Sequence, residues 1–144
     1  MALAGLVLMT VVGCQDSQAI KLKQYQAQGR ALYLQHCSGC HQPNGEGLGE
    51  LYPPVAFADY LLEDIPRAIC ITYKGLSEEI VVNGKSYNLP MPPNRQLTSL
   101  QIAEIMTYIT TAWGDETDII TPQQVEKVNK SCRTILSKPA LPTE

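Results

Sequence analysis

A chain of 144 residues is long enough for one domain with a real core and too short for two comfortable ones. Its formal charge of −3 and its lack of any Lys- or Arg-rich block exclude a nucleic-acid footprint. The mild acidity favours a basic over an acidic partner surface and says little else.

The uncharged apolar run from Met1 to Val12 is too short to span a bilayer and has the length of a signal-peptide core, although no Lys or Arg precedes it. Small Gly13 marks the cut, so residues 1–13 are expected to be a signal peptide. The residues "VVGC" resemble a bacterial lipoprotein cleavage motif, which makes Cys14 the expected lipid-bearing residue and 14–19 a polar tether. The alternative is a buried N-terminal helix with Cys14 in its core. An acylated chain leaves the cytoplasm for a compartment where disulfides form.

From residue 15 to about 37 the spacing predicts a helix, with Leu22, Tyr25, Gly29, Leu32, Tyr33 and His36 on one semi-apolar face. Gly29 costs stability there relative to Ala, and close approach by another helix is a physical reason to keep it. "QPNGEGLGELYPP" is a loop. "DYLLEDIPRAICITYKG" reads as one or two short helices, with Pro66 in the first turn of the second and Gly75 as its stop. "EIVVNGKSY" is a hairpin turning at Asn83-Gly84 and running into the extended loop "NLPMPPNR". "LTSLQIAEIMTYITTAWG" is the clearest helix, capped by Thr98 or Ser99 and closed by Gly114. Its buried arc takes Ile102, Ile105, Met106, Ile109, Ala112 and Trp113. A last helix starts at Thr121-Pro122 and turns Val125, Val128, Cys132, Ile135 and Leu136 inward. The fold class is all-α with one small hairpin.

Cys37-Ser38-Gly39-Cys40-His41 is the stretch that carries chemistry. Two thiols three apart, with an imidazole directly after the second, match the C-x-x-C-H spacing of c-type haem attachment. The thiols reach two vinyl groups of one porphyrin, and His41 lies over the iron from the same side. Two other readings compete. A redox dithiol sits at a helix N-terminus after a strand, whereas this pair follows a helix. A structural zinc needs a fourth ligand from Cys70, Cys132 or His36, with no second paired cluster to supply it.

The iron's sixth ligand is sought among the methionines. Met9 falls in the leader and Met106 in the middle of an apolar arc, where core packing is the simpler role. Met91 lies in "LPMPP", whose prolines fix the backbone and suit holding a thioether against iron. His36 precedes Cys37 directly and cannot reach the far face. His/Met ligation leaves no open coordination site, which favours electron transfer over catalysis.

With these residues in place the chain resembles a class I c-type cytochrome of the small, membrane-tethered bacterial monohaem kind. The matching residues run from Gly29 and Tyr33 through Cys37, Cys40 and His41, across "NGEGLGELYPPV", to "VNGKSYNLPMPP" and the helix carrying Tyr108 and Ile109. The resemblance implies a cytochrome c domain over 20–114 around one covalent haem c, followed by a helical extension over 115–144. It implies that the N-terminal helix crosses the Ile102–Trp113 helix at Gly29 and Tyr33. It also implies that a proline carbonyl orients the proximal imidazole, Pro53 matching best and Pro54 next. In an oxidising compartment Cys70 and Cys132 are candidates for a disulfide that staples the extension; the alternative is two small buried side chains or a free thiol.

The function expected is non-enzymatic: a one-electron carrier between redox proteins, lipid-anchored on the periplasmic side of a bacterial envelope membrane, with no small-molecule substrate. Inner and outer membrane both stay open; resemblance to lipoprotein sorting patterns, with Gln15 rather than Asp after Cys14, leans weakly towards the outer one. The alternative is an electron-transfer subunit of a periplasmic dehydrogenase or reductase complex. A third reading, a haem sensor or peroxidase, requires Met91 to leave the iron.

Overall fold

A computed structural model describes residues 12–138, with side chains from residue 17 onward. Most of the leader expected over 1–13, the side chain of Cys14 and the end of the extension lie outside the described residues. The first helix, α1, spans Val12–His36 and takes the stretch 14–19 into its backbone. No described helix is long and apolar enough to cross a membrane.

Helix α1 packs against α5, Ser99–Trp113. The crossing is set by Gly29: a Cβ at that position would run into the Glu104 carbonyl oxygen and come within 2.8 Å of Tyr108 Cβ. One turn on, Tyr33 is fully buried, and its ring centroid lies 5.8 Å from that of Tyr108 and 5.2 Å from that of Trp113. Edge and tilted contacts of this kind add specificity to apolar burial. The crossing at Gly29 and Tyr33 is the one the resemblance implied. Ile102, Ile105, Met106 and Ile109 form the buried arc of α5, but Ala112 is exposed, because at that end of the helix α1 meets the flanking residues instead, Gln26 bonding Thr111 and Tyr33 packing on Trp113.

Thr98 caps α5 in a reciprocal box with Gln101. A Thr98→Ala variant loses that cap and is expected to be less stable by about 1 kcal/mol, read as a lower thermal midpoint.

Two short helices lie between the loop and the hairpin: α3, Asp59–Leu62, and α4, Ile65–Lys74. Asp64 caps α4 by accepting from the Arg67 amide at 2.9 Å, Pro66 sits in the first turn, and Gly75 ends the helix. Strands β1, Ile80–Val82, and β2, Lys85–Tyr87, pair antiparallel, with Ile80 opposite Tyr87 and Val82 opposite Lys85. Asn83 and Gly84 both have positive φ, as a two-residue turn of this twist requires. That turn is tied to α3: the Asn83 amide donates to Asp59 Oδ1 at 2.7 Å, and the Asp59 amide donates to Asn83 Oδ1 at 3.1 Å.

The last helix, α6, Pro122–Leu136, begins at a Thr121–Gln124 capping box and lies on α4 and α5. Val125 is wholly buried there. Three further ties hold it. Cys70 of α4 is joined to Cys132 by a disulfide, the Ile120 amide donates to Thr107 Oγ1 at 3.0 Å, and Arg67 Nη2 donates to the Lys138 carbonyl at 2.9 Å.

Candidate functional site

The Cys37–His41 stretch is itself helical. After α1 ends at His36, residues Ser38–His41 form a single turn, α2, and the His41 amide donates to the Cys37 carbonyl at 3.0 Å. One helical turn puts side chains three and four apart on the same face. Cys37, Cys40 and His41 therefore share a surface, and all three line one cavity. Among the described residues Cys37 and Cys40 are the free cysteines. Burial pushes the Cys37 thiol up to about 11, with Cys40 beside it acting in the same sense. A dithiol redox centre needs the opposite shift, because the thiolate is its nucleophile.

The glycine-rich loop folds back over α2. The Gly47 amide donates to the His41 carbonyl at 2.9 Å, and Gly47 has φ of +72°. A Cβ there would collide with the Tyr52 carbonyl oxygen and lie 2.7 Å from that of Pro53, so a glycine lets the chain double back this tightly. The result is that the Pro53 carbonyl oxygen lies 2.9 Å from His41 Nδ1. A carbonyl can only accept, so Nδ1 carries the hydrogen and Nε2 keeps its lone pair. Burial also holds the imidazole below its usual range, the Pro53 hydrogen bond opposing, so the ring stays neutral and able to ligate. Pro53, rather than Pro54, is the partner.

Met91 comes from the proline-rich loop after β2 and is half-buried on the wall of the same cavity. Its backbone is clamped to the segment following α4: the Met91 amide donates to the Leu76 carbonyl at 2.8 Å, and the Leu76 amide donates back at 3.0 Å. Farther on, the Asn94 amide donates to the Thr72 carbonyl at 3.2 Å. Sequence reading missed this isolated bridge; a strand signal one residue long does not exist. Met106 is fully buried in α5, where it packs the core and also borders the cavity, and His36 lines the wall near Cys37.

The remaining wall is mostly apolar, with Val55, Ala68, Ile71, Leu76, Ile105 and Ile109 prominent. Cys70 and Cys132 are bonded to each other, which removes two of the three candidates for a zinc's fourth ligand. Two free thiols, a neutral imidazole with its Nε2 lone pair and a thioether around a greasy cavity are the donors and surroundings that a covalently held haem uses. The residues fit that group.

This fold and donor set define a monohaem c-type protein. The chain belongs to the cytochrome c family: residues 26–113 match that family. It is 38% identical over 111 residues to cytochrome c-552 of Thermus thermophilus, a match covering 73% of this chain and 84% of that protein. It is also 24% identical over 110 residues to the cytochrome c subunit of a quinone-type alcohol dehydrogenase of Gluconobacter oxydans, covering 72% of this chain and 23% of the subunit. The chain is accordingly an electron-transfer protein with covalently bound haem c, acting with redox partners rather than on a substrate of its own.

Proposed function

We propose that Cys37 and Cys40 hold the haem through thioether bonds, that His41 and Met91 are its axial ligands, and that the protein carries single electrons at the periplasmic face of a bacterial envelope membrane, tethered by a lipid on Cys14. The haem supplies the one-electron couple of its iron. The chain's part is to orient the His41 ring through Pro53, to present Met91 on a loop clamped to Leu76, and to keep water out with the apolar wall. The observation that carries this reading is the pairing of His41 Nδ1 with the Pro53 carbonyl in the cavity that Met91 lines. Fixing both ligands in advance limits rearrangement when the iron changes charge, which suits a carrier. The lipid rests on "VVGC" alone, and mass spectrometry of the membrane-extracted protein tests it.

Optical spectra test the ligation. Protein made with haem-attachment machinery is expected to keep its sharp reduced bands through acid-acetone extraction and to show a weak far-red band when oxidised. Met91→Ala should abolish the far-red band and lower the reduction potential by on the order of 0.1 V. Met106→Ala should spare the band, at a stability cost of about 2 kcal/mol or more for an emptied core site. A far-red band that survives in Met91→Ala and disappears in Met106→Ala would reverse the assignment. A second reading, in which the protein is the electron-transfer subunit of a dehydrogenase complex, draws on the likeness to the alcohol dehydrogenase subunit. Co-purification with one stoichiometric partner would favour it over a free carrier.

A further inference from the structure

Two segments, 46–59 and 78–91, both contribute to the cavity wall, supplying Tyr52, Pro53, Glu78, Leu89 and Met91. They are held together by Lys85, whose Nζ lies 3.5 Å from Glu50 Oε1, and by the Asp59–Asn83 pair. Among the described residues, seven large hydrophobic side chains stand out as exposed, and five of them, Leu48, Leu51, Phe57, Val81 and Leu89, lie on these segments. Phe57 is 71% exposed and Leu51 57%. A concentration of this kind on segments that wall a functional cavity marks an interaction surface.

Charge is concentrated on the same segments. They carry five carboxylates, Glu46, Glu50, Asp59, Glu78 and Glu79, against the single cation Lys85. That is a formal −4 within a chain totalling −3, so everything else sums to +1. Four of the five carboxylates are on exposed residues. The surface formed by these two segments therefore combines the molecule's net negative charge with most of the exposed large apolar side chains among the described residues.

We propose that this face is the docking surface for a redox protein that presents an apolar patch rimmed by Lys and Arg. The inference rests on the electron-carrier reading and names the partner's chemistry. Opposite charge steers the two faces together and sets their orientation, while Leu51, Phe57 and Leu89 provide the dry centre. A second copy of this chain is a poor occupant, because two acidic faces repel. Contacts that depend on steering and a small apolar centre release quickly, as a carrier requires.

The test uses the reduced haem protein and two small one-electron oxidants of opposite charge. Tris(phenanthroline)cobalt(III), a cation, and ferricyanide, an anion, each take one electron from the ferrous protein; cobalt falls to the divalent state, or ferricyanide becomes ferrocyanide, and the protein becomes ferric. The cobalt rate is expected to fall at least about threefold between about 10 mM and about 200 mM salt, and the ferricyanide rate to rise. A Glu50→Gln/Glu78→Gln/Glu79→Gln variant should flatten both dependences, which separates these side chains from charges the haem itself carries. With a lysine-rich cytochrome c as protein acceptor, Leu51→Ser should slow transfer at least about threefold more than it slows the small oxidants. Salt dependences identical in parent and triple variant, or no selective effect of Leu51→Ser, overturn the docking face while leaving electron transfer intact. No oxidation by either reagent at any salt would instead overturn the carrier reading and the docking proposal with it.

Discussion

A Gly29→Ala variant is expected to unfold at distinctly lower denaturant than the parent, although Ala is the better helix former. Two effects of opposite sign compete at this position. Within an isolated helix, Ala in place of Gly gains about 1 kcal/mol. In the folded protein the new Cβ lands on the Glu104 carbonyl, and backbone cannot move aside as a flexible side chain would. Forcing α1 and α5 apart also loosens the Tyr33, Tyr108 and Trp113 rings packed beside the crossing. Overpacking at a rigid contact costs up to about 3 kcal/mol and occasionally more, so the net loss should be about 2 kcal/mol or greater. Urea melts followed by far-UV circular dichroism measure it. A midpoint at or above the parent's would show that the two helices do not cross here.

Gly29 illustrates what the sequence makes legible. A glycine in mid-helix has a local cost, and that cost points to a neighbour without naming it; the likeness to c-type cytochromes named α5. The Cys37–His41 motif was legible because its chemistry is local: one helical turn places all three side chains on one face. The hairpin was legible for a similar reason, since Asn83-Gly84 fits a turn with two positive φ values. What the sequence does not carry is pairing between distant segments with no periodic signal. The Leu76–Met91 bridge, the Asp59–Asn83 exchange and the Thr72–Asn94 bond each tie a single loop or turn residue to a distant segment, and neither composition nor spacing announces them. Ala112 shows the complementary error. Periodicity assigns it to the buried arc, but at the end of α5 the contacts with α1 fall to Thr111 and Trp113, and a helix's own sequence does not encode which of its last residues the neighbour covers.

The second large effect expected is that of removing the Cys70–Cys132 disulfide. The bridge closes a loop with a sequence separation of 62 residues. In the chain-entropy model, a loop of that length stabilises the folded state by about 4 kcal/mol through the freedom it removes from the unfolded chain. The variant to make is Cys70→Ala/Cys132→Ala rather than the serine pair, because both sites are essentially without solvent and a buried hydroxyl would need a partner. Loss of about 4 kcal/mol is a large share of the stability of a small domain. Its consequences should extend beyond α6. Helix α4 carries Cys70 on one side and Ala68, Ile71 and Thr72 on the cavity side, and its end leads through Gly75 to the bridge that clamps Met91. Loosening α4 is therefore expected to raise amide exchange first in α6, then at Leu76 and Met91, while the α1–α5 crossing remains protected. In the oxidised haem protein the far-red band should disappear on heating below the temperature at which helix content falls. Simultaneous loss of both signals would mean that the staple supports the fold as a whole and gives the distal methionine no particular support.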